Sequence, residues 1–139
     1  MVLIGKLLWL ILGGGLFAAI GWILTGVLMA LTIVGIPFAI AAFRIAGFAA
    51  WPFGRVLVDN RVVGAERIPG TGVANVIWVV FAGFWLALGH LLAGVACILT
   101  IIGIPFGLAH LKLASVCLAP LGKTAVPSEM RPLHPRPAF

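Results

Sequence analysis

Leu31-Thr32-Ile33-Val34-Gly35-Ile36-Pro37-Phe38 returns 68 residues later as Leu99-Thr100-Ile101-Ile102-Gly103-Ile104-Pro105-Phe106. The match runs downstream to Pro52-Phe53-Gly54-Arg55 against Pro120-Leu121-Gly122-Lys123, and upstream through Gly21 and Gly89. After one single-residue gap, Trp9 aligns with Trp78. Two copies of about fifty residues therefore fill nearly the whole chain.

Each copy carries its own punctuation. A long apolar helix is expected to run to Ile33 (Ile101), and Gly35 (Gly103) suits the left-handed residue that closes a helix. Pro37 (Pro105) suits the first turn of the next helix, where its missing N–H costs nothing. That second helix ends before Pro52 (Pro120), because the residue before proline avoids helical geometry. It has about 15 residues, or roughly 23 Å, which is short for a crossing. An interfacial or re-entrant second helix, leaving two true spans, is the alternative.

Hydrophobic residues make up 63% of the 139 positions and charged residues only 9%. Soluble domains carry about 25% charged residues, so this chain has too little polar surface to cover a water-facing globule. The apolar residues form two runs, Leu7 to Ala50 and Val73 to Leu111. A spanning helix needs about 20 apolar residues, so each run suffices for two crossings. Lys6 and the apolar stretch to Ala19 look in part like a signal peptide. A similar stretch recurs at Val76 to His90, where no signal peptidase acts, so both read as permanent spans.

Seven of the nine Lys/Arg residues fall in three segments: Lys6; Arg55, Arg61 and Arg67; and Lys123, Arg131 and Arg136. Residues 31–38 and 99–106 carry no charge. The positive-inside rule puts the three basic segments on the cytoplasmic side. The expected fold is thus an all-α membrane protein, with four transmembrane helices as two tandem parallel helical-hairpin repeats and both termini cytoplasmic. A pseudo-two-fold axis along the membrane normal follows. The net charge of +6 is scattered along membrane boundaries, not gathered in a patch, which argues against nucleic acid as a partner.

The doubled L-T-I-x-G-I-P-F motif, the following basic residue and the P-x-G-[RK] ending resemble the YccF family of bacterial inner membrane proteins, whose members carry a paired inner membrane component domain. The resemblance covers residues from about 5 to 123. It implies a small multi-pass protein of the bacterial cytoplasmic membrane, and it implies a location more than an activity.

Arg44 and Lys112 occupy equivalent positions near the middle of the two short helices. A charge at the centre of a spanning helix costs roughly 2.5–3.5 kcal/mol. No Asp or Glu lies in a predicted span; Asp59, Glu66 and Glu129 are all outside. The two cations must therefore reach water, carbonyls, headgroup phosphates or a transported anion. One reading is an anion-attracting, water-filled cavity near the repeat axis. The other is snorkelling of the long stems to the interface.

The Thr32/Gly35/Pro37 and Thr100/Gly103/Pro105 breaks are candidate pore-mouth residues, because irregular backbone in a membrane is tolerated where it lines a cavity. The plainer reading is a tight apolar turn. Small residues four apart, such as Gly14/Ala18, Gly26/Ala30, Gly83/Ala87 and Gly89/Ala93, let helix backbones approach closely, between repeats or in a homo-oligomer. Counted from the second turn, Cys97 matches His110 in depth, and His90 matches Cys117. Two ligands per level fall short of a zinc site, and packing is the better reading. No metal, cofactor or catalytic constellation is expected, and the chain does not read as an enzyme. Trp9, Trp51 and Trp78 read as interfacial belt residues.

The expected organisation is a first repeat at 1–55, a cytoplasmic connecting loop at 56–72, a second repeat at 73–123 and a disordered Pro-rich tail at 124–139. The expected partners are membrane lipids, a second copy of the chain and a membrane protein partner. Two functions fit. One is an oligomeric anion channel or transport component lined by Arg44 and Lys112. The other is a non-transporting accessory or scaffold subunit that docks a larger membrane partner.

Overall fold

The computed structural model describes residues 2–64 and 69–130, and it is mostly helical. The first repeat builds α1 (Val2–Ile11), α2 (Gly15–Ala30) and α3 (Ile36–Ala50). The second builds α4 (Thr71–Trp78), α5 (Phe84–Ile98) and α6 (Ile104–Leu118). Within each repeat the middle and last helices form a hairpin, α2 on α3 and α5 on α6. The repeats differ in how the first helix joins the second. α1 and α2 are bent by 65° where Gly14 takes a φ of 79°. The second repeat is one residue shorter at this place; it has a π-helical turn at Val79–Gly83, and Thr71–Ile98 runs as one helix of 28 residues.

That helix and Ile101–Leu118 are long and apolar enough to cross a membrane, and the bent α1–α2 pair makes a third if taken as one span. α3, with 15 residues, reaches about 22 Å against a hydrocarbon thickness of about 30 Å.

The bundle is closed by two tryptophans. Trp9 Nε1 donates to the Ala49 carbonyl at 2.8 Å, and Trp78 Nε1 donates to the Cys117 carbonyl at 2.8 Å. Ala49 and Cys117 are equivalent positions in the last turns of α3 and α6, where helix carbonyls have no partner of their own. Each ring also reaches across to the other repeat. Trp9 lies 6.0 Å from Phe106, and Trp78 lies 5.5 Å from the equivalent Phe38. Trp9 and Trp78 are therefore core residues, 0% and 6% exposed, and not belt residues. Only Trp51 stays half-buried, with the Lys6 ammonium 5.7 Å from its ring centroid. The sequence signal was the glycines. A Cβ on Gly13, Gly15 or Gly83 would strike the neighbouring tryptophan side chain.

The fold is not wholly helical. β1 (Arg55–Asp59) pairs antiparallel with β2 (Lys123–Pro127), with Leu57 opposite Ala125. Gly54 and Gly122 turn the chain out of α3 and α6 at φ 74° and 77°, a region that favours glycine. The ribbon is flanked by equivalent bonds, Asn60 N–H to Gly122 O and Ser128 N–H to Gly54 O, both 2.9 Å. Residues 56–59 are thus strand and not loop. The expected disordered tail begins as strand and a short 3-10 turn at Ser128–Met130, while its remainder lies outside the described residues. The physical reason is pairing: five residues alone make no sheet, but two copies of the same segment satisfy each other's backbone. Leu57 and Ala125 both pack on the core, capping the bundle.

Candidate functional site

Arg44 and Lys112 are both exposed, but they do not share a cavity. The space between the repeats, where a common cavity would lie, is filled by Trp9, Ile45, Phe48, Leu113 and Cys117, each at most 1% exposed. Arg44 instead lines a cleft of about 300 Å³ between α3, the start of α4 and the Pro120–Lys123 turn. One end of this cleft is apolar, with Pro37, Phe38, Ile40 and Ala41; the other carries Arg44, Asn60, Thr71 and Lys123. Lys112 lines a separate cleft of about 220 Å³ with Ser115, Lys123 and β1 residues Val56–Val58. Lys123 borders both, so both cations open towards the ribbon end of the bundle. Among the described residues, no carboxylate comes within ion-pair range of Arg44 or Lys112.

The turn residues serve a structural purpose. Thr32 Oγ1 donates to Met29 O at 3.1 Å and accepts from Gly35 N–H at 3.0 Å. Thr100 repeats this with Cys97 O at 2.8 Å and Gly103 N–H at 3.1 Å. Both hydroxyls are thereby committed to their own turns. Gly35 and Gly103 are not left-handed, as expected, but sit at φ −80° and −82°. They are glycine for lack of room, since a Cβ would strike the carbonyl of Met29 or Cys97 and the threonine hydroxyl. Pro37 and Pro105 start α3 and α6 as expected. Among the described residues the turn tips are the barest apolar surface: Ile33 and Ile101 are each 88% exposed.

A histidine pair emerges that depth counting missed. His90 and His110 meet Nδ1 to Nδ1 at 3.0 Å, and His110 Nε2 contacts the Gly13 carbonyl at 3.0 Å. A carbonyl only accepts, so His110 Nε2 carries the hydrogen. With both rings neutral, His110 Nδ1 is then the acceptor and His90 Nδ1–H the donor. The chain of bonds ties α5 and α6 to the break between α1 and α2. The first repeat fills the same two positions with Trp22 and Ala42. Of the Cys/His depth pairs, Cys97 and His110 border one open groove together with His90, but the ring contact is between the two histidines. Among the described residues, no group of three or more metal-ligating side chains converges. The small residues divide in use. Gly26 makes room for the Phe43 ring, and Gly94 and Gly107 let α5 and α6 approach closely. Gly21 and Gly89 face open space.

Comparison with known proteins agrees with this doubled organisation. The YccF family, described as an inner membrane component domain, matches residues 4–55 and again 73–123. The inner membrane protein YccF of Escherichia coli strain K12 is 33% identical over 121 residues, covering 84% of this chain and 82% of the relative. The protein of the same name from Shigella flexneri matches to the same extent. No solved structure matches the chain.

Proposed function

Because this chain belongs to the YccF family of inner membrane components, its place is the bacterial inner membrane, and we propose that it works there as a non-conducting scaffold or accessory subunit. The observation that carries this reading is the filled interface between the repeats, which leaves Arg44 and Lys112 in two separate clefts. Without a shared aqueous path, neither cation serves permeation within one copy. Both serve as anchors at the interface, where long stems carry their charge to water and headgroups.

In this reading both hairpins enter from the cytoplasmic side, and the ribbon lies at that surface. Support comes from the basic residues gathered there: Arg55, Arg61 and Lys123 in or beside the ribbon, and Lys6 over Trp51 at the end of α3. It comes also from the pairing of β1 with β2, which ties the ends of α3 and α6 to one side. The bare apolar tips at Leu31–Val34 and Leu99–Ile102 lie within the far leaflet. Their threonine-capped turns satisfy backbone groups that lipid would leave without partners. Gly21 and Gly89, open on equivalent outward faces, give a partner helix a surface for close approach.

The test is anion flux in liposomes reconstituted with the full chain at rising density. The proposal expects leakage equal to that of protein-free vesicles throughout. Flux that scales with protein and disappears in Arg44→Gln or Lys112→Gln would establish the channel reading instead.

A further inference from the structure

The Arg44 cleft has the polarity of a phospholipid. We propose that it binds an anionic phospholipid of the surrounding bilayer, with the phosphate at Arg44 and an acyl chain along α3. Pro37, Ile40, Ala41 and Arg44 line it from one face of α3, spaced as one helical stripe. That stripe extends about 10 Å from Pro37 to Arg44, apolar throughout until the guanidinium. The cleft's far wall is the second repeat, so the groove exists only where the two repeats meet.

Three features at the ribbon end of the cleft favour a phosphate. The Arg44 guanidinium presents a planar fork of donors that suits phosphate oxygens. Asn60 accepts the Thr124 hydroxyl at its Oδ1 with 2.7 Å, which leaves its amide nitrogen as the remaining donor. Gly70 and Thr71 begin the 28-residue helix, so the positive end of its dipole borders the site. No carboxylate is among the lining residues. The acid next to Asn60, Asp59, stands opposite Lys123 in the ribbon and lies 3.7 Å from Arg61 Nε, so the positive charge of the site rests on Arg44. Arg44 lies six residues before the end of α3, about 9 Å from the ribbon end, a depth that an arginine stem and local bilayer thinning bridge. A free inorganic phosphate would use the same donors but leave the apolar wall unused. The wall is what selects the lipid.

The experiment is native mass spectrometry of the full chain, delipidated in detergent and then titrated separately with phosphatidylglycerol and with zwitterionic phosphatidylcholine. Phosphatidylglycerol is expected to bind at one site more tightly than phosphatidylcholine. Arg44→Gln should weaken it about fivefold, the size of one cation near a headgroup. Lys112→Gln should leave that site unchanged. Ala74→Phe fills the cleft without altering any charge, and should also displace the lipid. Each variant is first shown to melt at the wild-type temperature in detergent; Arg44 and Lys112 are exposed, so their replacement leaves the core intact. Equal retention of both lipids, or undiminished phosphatidylglycerol binding in Arg44→Gln and Ala74→Phe, would overturn the proposal. So would displacement of the lipid by millimolar inorganic phosphate, which would make the free anion the ligand.

Discussion

Leu57 and Ala125 stand opposite each other in the ribbon and are also each other's counterpart in the repeat, 68 residues apart. Only a point on the axis relating the two copies can do both. The axis therefore passes through the centre of the ribbon. The flanking bonds from Asn60 to Gly122 and from Ser128 to Gly54 obey the same exchange. The ribbon is the clasp of the duplicated fold, and it sits over the core that the two tryptophans complete.

This register predicts a cross-link. With Cys97 and Cys117 replaced, Leu57→Cys/Ala125→Cys should oxidise within one chain, since paired antiparallel residues fall within disulfide reach. Arg55→Cys/Lys123→Cys has the same sequence offset but lies at opposite ends of the ribbon, about 13 Å apart. It should not cross-link. Mobility on non-reducing gels reads both.

Each buried indole N–H satisfies a helix-end carbonyl. Trp9→Phe and Trp78→Phe should each lose about 1–3 kcal/mol, because the bond goes and the carbonyl stays buried. Thermal unfolding in detergent measures it. Trp51→Phe, with a half-buried ring outside this network, should change little.

The glycines sort by what surrounds them. Gly13→Ala, Gly15→Ala and Gly83→Ala should destabilise, because each Cβ meets a tryptophan. Gly21→Ala and Gly89→Ala meet nothing within 4 Å and should be neutral or stabilising by up to about 1 kcal/mol through helix propensity. A uniform response across the five would contradict the packing described.

The histidine pair predicts non-additivity. His90→Leu strands His110, and His110→Leu strands both His90 and the Gly13 carbonyl, each costing about 1–3 kcal/mol. Removing both partners together should cost less than the two losses combined. Melting temperatures of the two single variants and the double variant give the coupling.

How much of this was legible in advance follows from range. The hairpins, the turns at Gly35-Ile36-Pro37 and Gly103-Ile104-Pro105 and the break before Pro52 and Pro120 are local. Apolar run length and proline punctuation revealed them. The ribbon was hidden because Arg55–Asp59 and Lys123–Pro127 are each too short to signal a strand, and each finds its partner across the whole second repeat. Trp9 and Trp78 read as interfacial because indole rings at span ends usually are; the Gly13-Gly14-Gly15 run beside Trp9 was the overlooked sign of burial. Depth counting pairs His90 and His110 with the cysteines because it centres the second hairpin on Gly103. The contacts of Gly94 with Gly107 and of His90 with His110 centre that hairpin near residue 100, and the two histidines meet instead. Arg44 and Lys112 are equivalent in the sequence repeat, but they line separate clefts. The clefts themselves are not equivalent: that of Arg44 runs along α3 to the start of α4, and that of Lys112 is bounded by β1.

The central claim is that the two cations lie in separate clefts opening to the ribbon side, with a dry core between the repeats. The direct measurement is thiol labelling in sealed vesicles of each orientation, using Arg44→Cys and Lys112→Cys in a chain lacking Cys97 and Cys117. The account predicts that a charged, membrane-impermeant reagent reaches both positions from the ribbon side only. Labelling of either position from the opposite side, at a rate near that of a loop residue, would reveal a continuous aqueous path and contradict it.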